Sequence, residues 1–224
     1  MSTAAEGEHN VARPAERDPM VSPPKLSGWG AGFADPGPLG LAGFAATTFF
    51  LSVINTNMLG ASVQSIVFGL AFFYGGLAQL LAGMWEFAKG NTFGALAFSS
   101  YGAFWLSFWW ILTHLPANAK PNDLLHGVAL YLLCWTIFTA YMTVASARTT
   151  GAIFAVFVLL TLAFLALTIG FFSESVADFE ANSNAWIHIG GWIGILTAIA
   201  AWYASFAGVV NSTFKRVVLP TFPR

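Results

Sequence analysis

Through residue 37 the chain is polar and proline-rich; from residue 38 its character changes. From there to residue 210 six apolar runs alternate with short polar interruptions. The runs cover residues 38–57, 65–87, 92–113, 124–147, 151–172 and 185–210. A helix needs about 20 apolar residues to cross a hydrocarbon layer of about 30 Å, and each run is long enough. Turn-forming residues part them: Gly60-Ala61-Ser62, Lys89-Gly90-Asn91, the stretch from Pro116 to Asn122, Arg148-Thr149-Thr150 and the polar residues 173–184. The pattern predicts an all-α integral membrane protein, a bundle of six transmembrane helices. Residues 1–37 then form a mobile polar tail, 38–210 the six-helix pore domain and 211–224 a short C-terminal tail.

Composition agrees with that reading. Of 224 residues, 57% are apolar and 8% are charged, against about 25% charged in an ordinary soluble domain. Charge is scarce where a surface faces hydrocarbon, because an ion there is costly. The net charge of -1 offers no basic patch, so nucleic acid is not an expected partner. With Cys134 as the single cysteine, no disulfide can form within the chain. The first residues lack the short apolar region of a cleavable signal peptide, and prolines 14, 19, 23 and 24 break them up.

Basic residues give the orientation. If the N-terminus is inside, Lys25, Lys89, Arg148, Lys215, Arg216 and Arg224 are cytoplasmic and only Lys120 is outside, as positive-inside bias requires. Both termini are therefore expected in the cytoplasm of a multi-pass plasma-membrane protein. Trp109, Trp110 and Trp186 then fall near the outer surface and Trp85 near the inner one, where amphipathic rings settle.

No catalytic constellation, phosphate-binding loop or metal-ligand cluster is present in the sequence, so neither enzyme activity nor a cofactor or metal is expected. His9, His114, His126 and His188 are scattered. His188, one turn into the last run, is a candidate for a vestibule or for an interhelical hydrogen bond. Glu86 is the carboxylate within an apolar run, and an ionisable residue there is a functional candidate by default. Lys89 follows three residues later, so an exposed ion pair at the inner mouth is the competing expectation.

What remains are uncharged polar side chains: Thr47, Thr48, Asn55 and Asn57 in the first run, Gln79 in the second, Ser99, Ser100, Tyr101 and Ser107 in the third, and threonines in the fourth and fifth. Most such groups bond to backbone or to neighbouring helices. A path lined by them without fixed charge also suits a small solute that must pass without being held tightly. An ion-coupled pump more often shows buried carboxylates or broken helices. A channel for small neutral solutes such as ammonia, urea or undissociated acetic acid uses the same lining, and a non-transporting acid sensor is a third reading.

Several stretches are familiar as a set. Asp35-Pro36-Gly37-Pro38-Leu39-Gly40-Leu41 resembles the Asn-Pro-Ala-Pro-Leu-Gly-Leu signature of the acetate uptake transporter family. Phe73 through Gln79, Lys89 through Gly94, Ser100 through Trp105 and Gly190 through Gly194 are similar to further motifs of that family, in the same order. The resemblance implies a homo-oligomer, often a hexamer, with one pore per subunit that moves acetate and in some members succinate. It also implies a constriction matching Phe44, Tyr101 and Leu160. Counted along their runs, these three lie roughly 9–14 Å from the inner ends. Thr47, Thr48, Asn55 and Gln79 become candidate polar lining. Asp35 stands where the family has asparagine; it reads as a helix cap before Pro36, or together with Glu86 as a carboxylate at the inner mouth.

Overall fold

The computed structural model describes residues 32–224 apart from Ala117 and Asn182. The mobile-tail reading for residues 1–31 lies outside the described residues. Among the described residues, six helices are long and apolar enough to span a membrane: Gly37–Asn55, Gln64–Ala88, Thr92–Thr113, Pro121–Ser146, Gly151–Ser173 and Ala185–Phe214. They are called here the first to sixth spans. A 3-10 turn, Ala61–Val63, leads into the second span, and a short helix, Val176–Ala181, precedes the sixth.

The differences from the sequence expectation have local causes. Asn57, expected inside the first span, lies beyond its end with a positive φ of 63°. The fourth span begins at Pro121, because proline suits a first helical turn whose N–H would be unpaired anyway. The sixth span continues to Phe214 and stops where Lys215 turns left-handed, at φ 52°.

The chain beyond Lys215 is not a free tail. The Asn211 side chain donates to the Leu219 carbonyl at 2.8 Å and accepts from the Val218 and Leu219 amides. The Tyr203 hydroxyl donates to the Pro220 carbonyl at 2.6 Å. Gly151 and Ala152, whose amides open the fifth span and have no partner within it, donate to the carbonyls of Phe222 and Thr221. The last residues therefore cap the fifth span.

Packing divides the bundle into close and open seams. The first span lies along the sixth, the fifth against the sixth and the fourth, and the second against the third and the first. Without a hydrophobic drive in lipid, small residues permit this approach. A Cβ on Gly102 would fall 2.7 Å from the Leu80 nitrogen, one on Gly83 would run into the Ser99 backbone, and one on Gly191 would lie 2.8 Å from the Thr56 nitrogen. The second span departs from α-helical geometry over Leu70–Ala78, which is π-helical. Here the Gln79 amide reaches back five residues to the Tyr74 carbonyl. The Thr47 hydroxyl leans toward the Leu70 carbonyl at 3.4 Å, so the loosened ladder keeps a partner from a neighbouring helix.

Between the third and fourth spans the backbones stay apart and aromatic rings fill the gap. Phe104 stacks on Tyr131 at 5.7 Å and meets Trp135 edge-on at 5.1 Å, while Tyr101 meets Phe138 edge-on at 5.3 Å. Rings hold helices further apart than glycines do, and the interior opens on this side.

Replacing Gly83 by leucine forces the second and third spans apart. The expected cost is about 1–3 kcal/mol, read as a fall of several degrees in the melting temperature of the detergent-solubilised protein. An unchanged melting temperature contradicts the close seam.

Candidate functional site

Two cavities lie inside the bundle, one above the other. The larger, about 410 Å³, opens toward the ends of the odd-numbered spans away from the C-terminus. Its walls include Phe44, Thr48, Ser52, Asn55, Trp105 and Leu160. The smaller, about 20 Å³, is lined by Leu41, Phe44, Gln79, Ala97, Phe98, Tyr101, Val156, Phe157 and Leu160. That is room for about one water molecule. None of the residues lining either cavity carries a formal charge.

Phe44 and Leu160 belong to both walls, so they stand where the cavities meet. Tyr101 completes the collar, its ring 5.8 Å from that of Phe44. All three are buried. The Tyr101 hydroxyl is engaged by Thr139 at 2.9 Å, which turns it out of the passage and leaves the ring as the wall. The structure thus brings the three sequence candidates to one place, although they come from three different spans.

The polar candidates separate. Thr48 and Asn55 line the larger cavity, and Gln79 the smaller one. Thr47 lines neither: its hydroxyl donates to the Gly43 carbonyl at 2.9 Å and serves the contact with the second span. His188 also stands outside both walls, beside Glu174. Three buried polar atoms on the walls have no hydrogen-bond partner: the Thr48 hydroxyl and Trp105 Nε1 on the larger cavity, and Gln79 Oε1 on the smaller one. Such atoms are costly to leave unpaired. Trp105 was not among the sequence candidates. Its signal was the stripe Tyr101, Trp105, Phe108 and Leu112, which recurs every three or four residues on one helix face.

The expected Glu86–Lys89 surface pair is corrected by the structure. Glu86 is 2% exposed and accepts from Asn91 Nδ2 at 2.9 Å. Lys89 instead bonds Asp35 at 3.0 Å, and both of these are partly exposed. Asp35 also accepts from the Gly37 amide at 3.2 Å, so it caps the first span from one residue before Pro36. Asn91 caps the third span by accepting from the Gly94 amide at 3.2 Å.

At the opposite end Glu174 closes the fifth span, with Oε2 buried and unpartnered. Burial pushes its proton affinity above the ordinary carboxyl range and nearby Asp178 adds to this, while the Asn184 side chain and His188 oppose it. The short helix that follows seats Val176 and Phe179 on the larger cavity. A carboxyl whose affinity is raised by folding stabilises the fold below its unfolded value, near about 4. That contribution is lost as pH rises through the higher folded value. Amide exchange over residues 175–184 should therefore be slower in acid than at neutral pH once the intrinsic rates are corrected. Glu174→Gln should remove the difference.

A bundle of six apolar spans enclosing two cavities that meet at an apolar collar defines an integral membrane protein. The chain belongs to the GPR1/FUN34/yaaH family, whose model matches residues 22–224. It is 44% identical over 197 residues to acetate permease A of Emericella nidulans, covering 84% of this chain and 65% of the relative. To the succinate-acetate/proton symporter SatP of Escherichia coli it is 39% identical over 189 residues, covering 84% of this chain and 94% of SatP. The solved structure of the bacterial acetate channel SatP superposes with a TM-score of 0.74 at 37% identity, over 84% of this chain and 99% of that one. The chain spans just under two thirds of the length of the fungal permease and nearly all of the bacterial relative. The family resemblance read from the motifs and the six-span fold both stand.

Proposed function

We propose that this protein passes acetate and related small carboxylates, succinate among them, across the membrane through a passage within each subunit. The observation that carries the reading is the collar of Phe44, Tyr101 and Leu160 between two uncharged cavities. The larger cavity admits a solute of a few heavy atoms with some of its water. The Thr48 hydroxyl and the Trp105 indole offer it hydrogen bonds without fixing it by charge. A solute then loses water to pass the collar, and weak binding on either side lets it leave again. The names of the relatives, an acetate permease, a succinate-acetate symporter and an acetate channel, support the same substrate class.

The wider setting follows from the same features. The protein sits in the plasma membrane with its termini in the cytoplasm, because the basic residues gather at that end. It assembles as a homo-oligomer, with a hexamer the form that the family resemblance implies. Phe73, Ile66 and Leu81 of the second span are exposed on the single chain, and lipid or a neighbouring copy covers such residues.

Reconstituted protein should take up labelled acetate faster than protein-free vesicles, in a saturable way and with competition from succinate. Saturable binding without flux would instead indicate a sensor. Leu160→Ala opens the collar at the residue shared by both cavities and should let lactate through at a rate approaching that of acetate. Unchanged selectivity between the two acids in the same uptake assay removes Leu160 from the constriction.

A further inference from the structure

Glu86 accepts one hydrogen bond, from Asn91 Nδ2 at 2.9 Å. It is 2% exposed, inside a span, where a carboxylate needs a reason to persist. It lies where the start of the first span, the end of the second and the start of the third meet. A Cβ on Gly37 would stand 3.5 Å from Glu86 Oε1 and 3.4 Å from Asp35 Oδ1, and one on Gly94 would stand 2.9 Å from the Glu86 carboxyl carbon. Among the described residues, the charged groups around it are Asp35, from the segment before the first span, and Lys89, from the loop after the second. Lys89 is already bonded to Asp35. Glu86 is left with the neutral Asn91 amide as its hydrogen-bond donor.

Although it lines neither cavity, Glu86 shares a helix face with Gln79, which does. It is seven residues after Gln79, two helical turns and about 10 Å along the same side of the second span. Gln79 lines the small cavity beneath the collar, and its Oε1 is buried with no partner. That atom can only accept a hydrogen bond. A carboxylate has nothing to donate to it, whereas an undissociated carboxylic acid has one O–H. On the far side of the collar the unpartnered groups include donors, Trp105 Nε1 and the Thr48 hydroxyl, which suit an anion. The two sides of the collar therefore match two protonation states of one substrate.

Resting on the proposed substrate class, we infer that the carboxylate crosses the collar as its neutral acid, and that Glu86 exchanges the proton with it on the terminus side. Leaving the collar, the acid gives its proton to the Glu86 carboxylate: the substrate O–H breaks, an O–H forms on Glu86, and the anion departs. Glu86 then releases the proton to water at that mouth. On the far side the anion takes its proton from water before it enters the collar; on the return path Glu86 protonates the anion, the acid crosses, and it releases that proton to water in the larger cavity. Asp35 and Lys89 neutralise one another and keep the mouth from holding the anion by charge.

Exchange of labelled acetate at equal pH on both sides of proteoliposomes tests the step. Near about pH 7 free acid is scarce, since carboxyls titrate near about 4, and passage depends on a proton supplied at the mouth. Glu86→Gln should slow exchange there by at least about tenfold. Near about pH 5 free acid is plentiful, and the variant should approach the wild type. Glu86→Asp keeps a titrating carboxyl and should restore most of the exchange at the higher pH. Equal loss at both pH values means a structural role and overturns the inference. So does wild-type uptake that follows an imposed membrane potential, because the anion is then the crossing species. Should Glu86→Gln fail to assemble, Asp35→Asn leaves Lys89 free to face Glu86 and should displace the pH midpoint of exchange by about half a unit or more. An unmoved midpoint counts against Glu86. A wild type with no uptake above empty vesicles would defeat the proposed function itself, a result none of these variants can mimic.

Discussion

Within hydrocarbon a backbone N–H or C=O has no water to fall back on, so every span must satisfy its own ladder or borrow a partner from a neighbour. The second span meets this demand in an unusual way. Over Leu70–Ala78 its ladder loosens to π-helical spacing, and the Thr47 hydroxyl of the first span approaches the freed region at Leu70. This is possible because the two backbones nearly touch: a Cβ on Gly43 would sit 2.5 Å from the Tyr74 carbonyl oxygen. The first, second and third spans are thereby locked into one slab. Gln79 and Glu86, both downstream of the π-helical stretch, take their inward orientation from it.

The other half of the bundle is built on the opposite principle. Large rings between the third and fourth spans keep those two helices apart, and the resulting space belongs to the passage, while the fourth span still packs on the fifth. Tyr101 shows how the two halves meet. Its ring contacts Phe44 from the slab at 5.8 Å and Phe157 of the fifth span at 6.1 Å, while its hydroxyl is tied to Thr139 of the fourth. One residue thus touches three other spans, which makes the collar a narrow and well-determined place rather than a loose ring of side chains. Aromatic pairs contribute roughly 0.5–1.5 kcal/mol each beyond their buried area, so the collar also stabilises the fold that contains it.

How far the sequence could be read follows from this division. The six spans were legible because length and apolarity act locally, and their observed ends differ from the expected ones by a few residues. The face carrying Phe44, Thr48 and Asn55 was legible in principle, since these residues recur at helical spacing. Thr47 was not separable from Thr48 by chemistry alone. Neighbouring helical residues point about 100° apart, and only the position of the second span decides which one meets the cavity. One of the two readings of Glu86, the surface pair with Lys89, failed for a related reason. Lys89 at helical spacing offered it a local partner, and only tertiary packing reveals that Asp35, fifty-four positions upstream of Lys89, takes that lysine.

Asp35, where the family resemblance has asparagine, puts a negative charge at the mouth of a passage read as serving an anionic substrate. Geometry changes its meaning. With Lys89 at 3.0 Å the added carboxylate is offset by a cation on the adjoining loop, and the pair is exposed enough for water to screen what remains. The pair therefore contributes little to stability, and its main consequence is to occupy Lys89, a cation close to Glu86. A buried carboxyl with a committed cationic neighbour nearby is held neither by a salt bridge nor by bulk water. On the proposal above, its proton is the one exchanged with the acid.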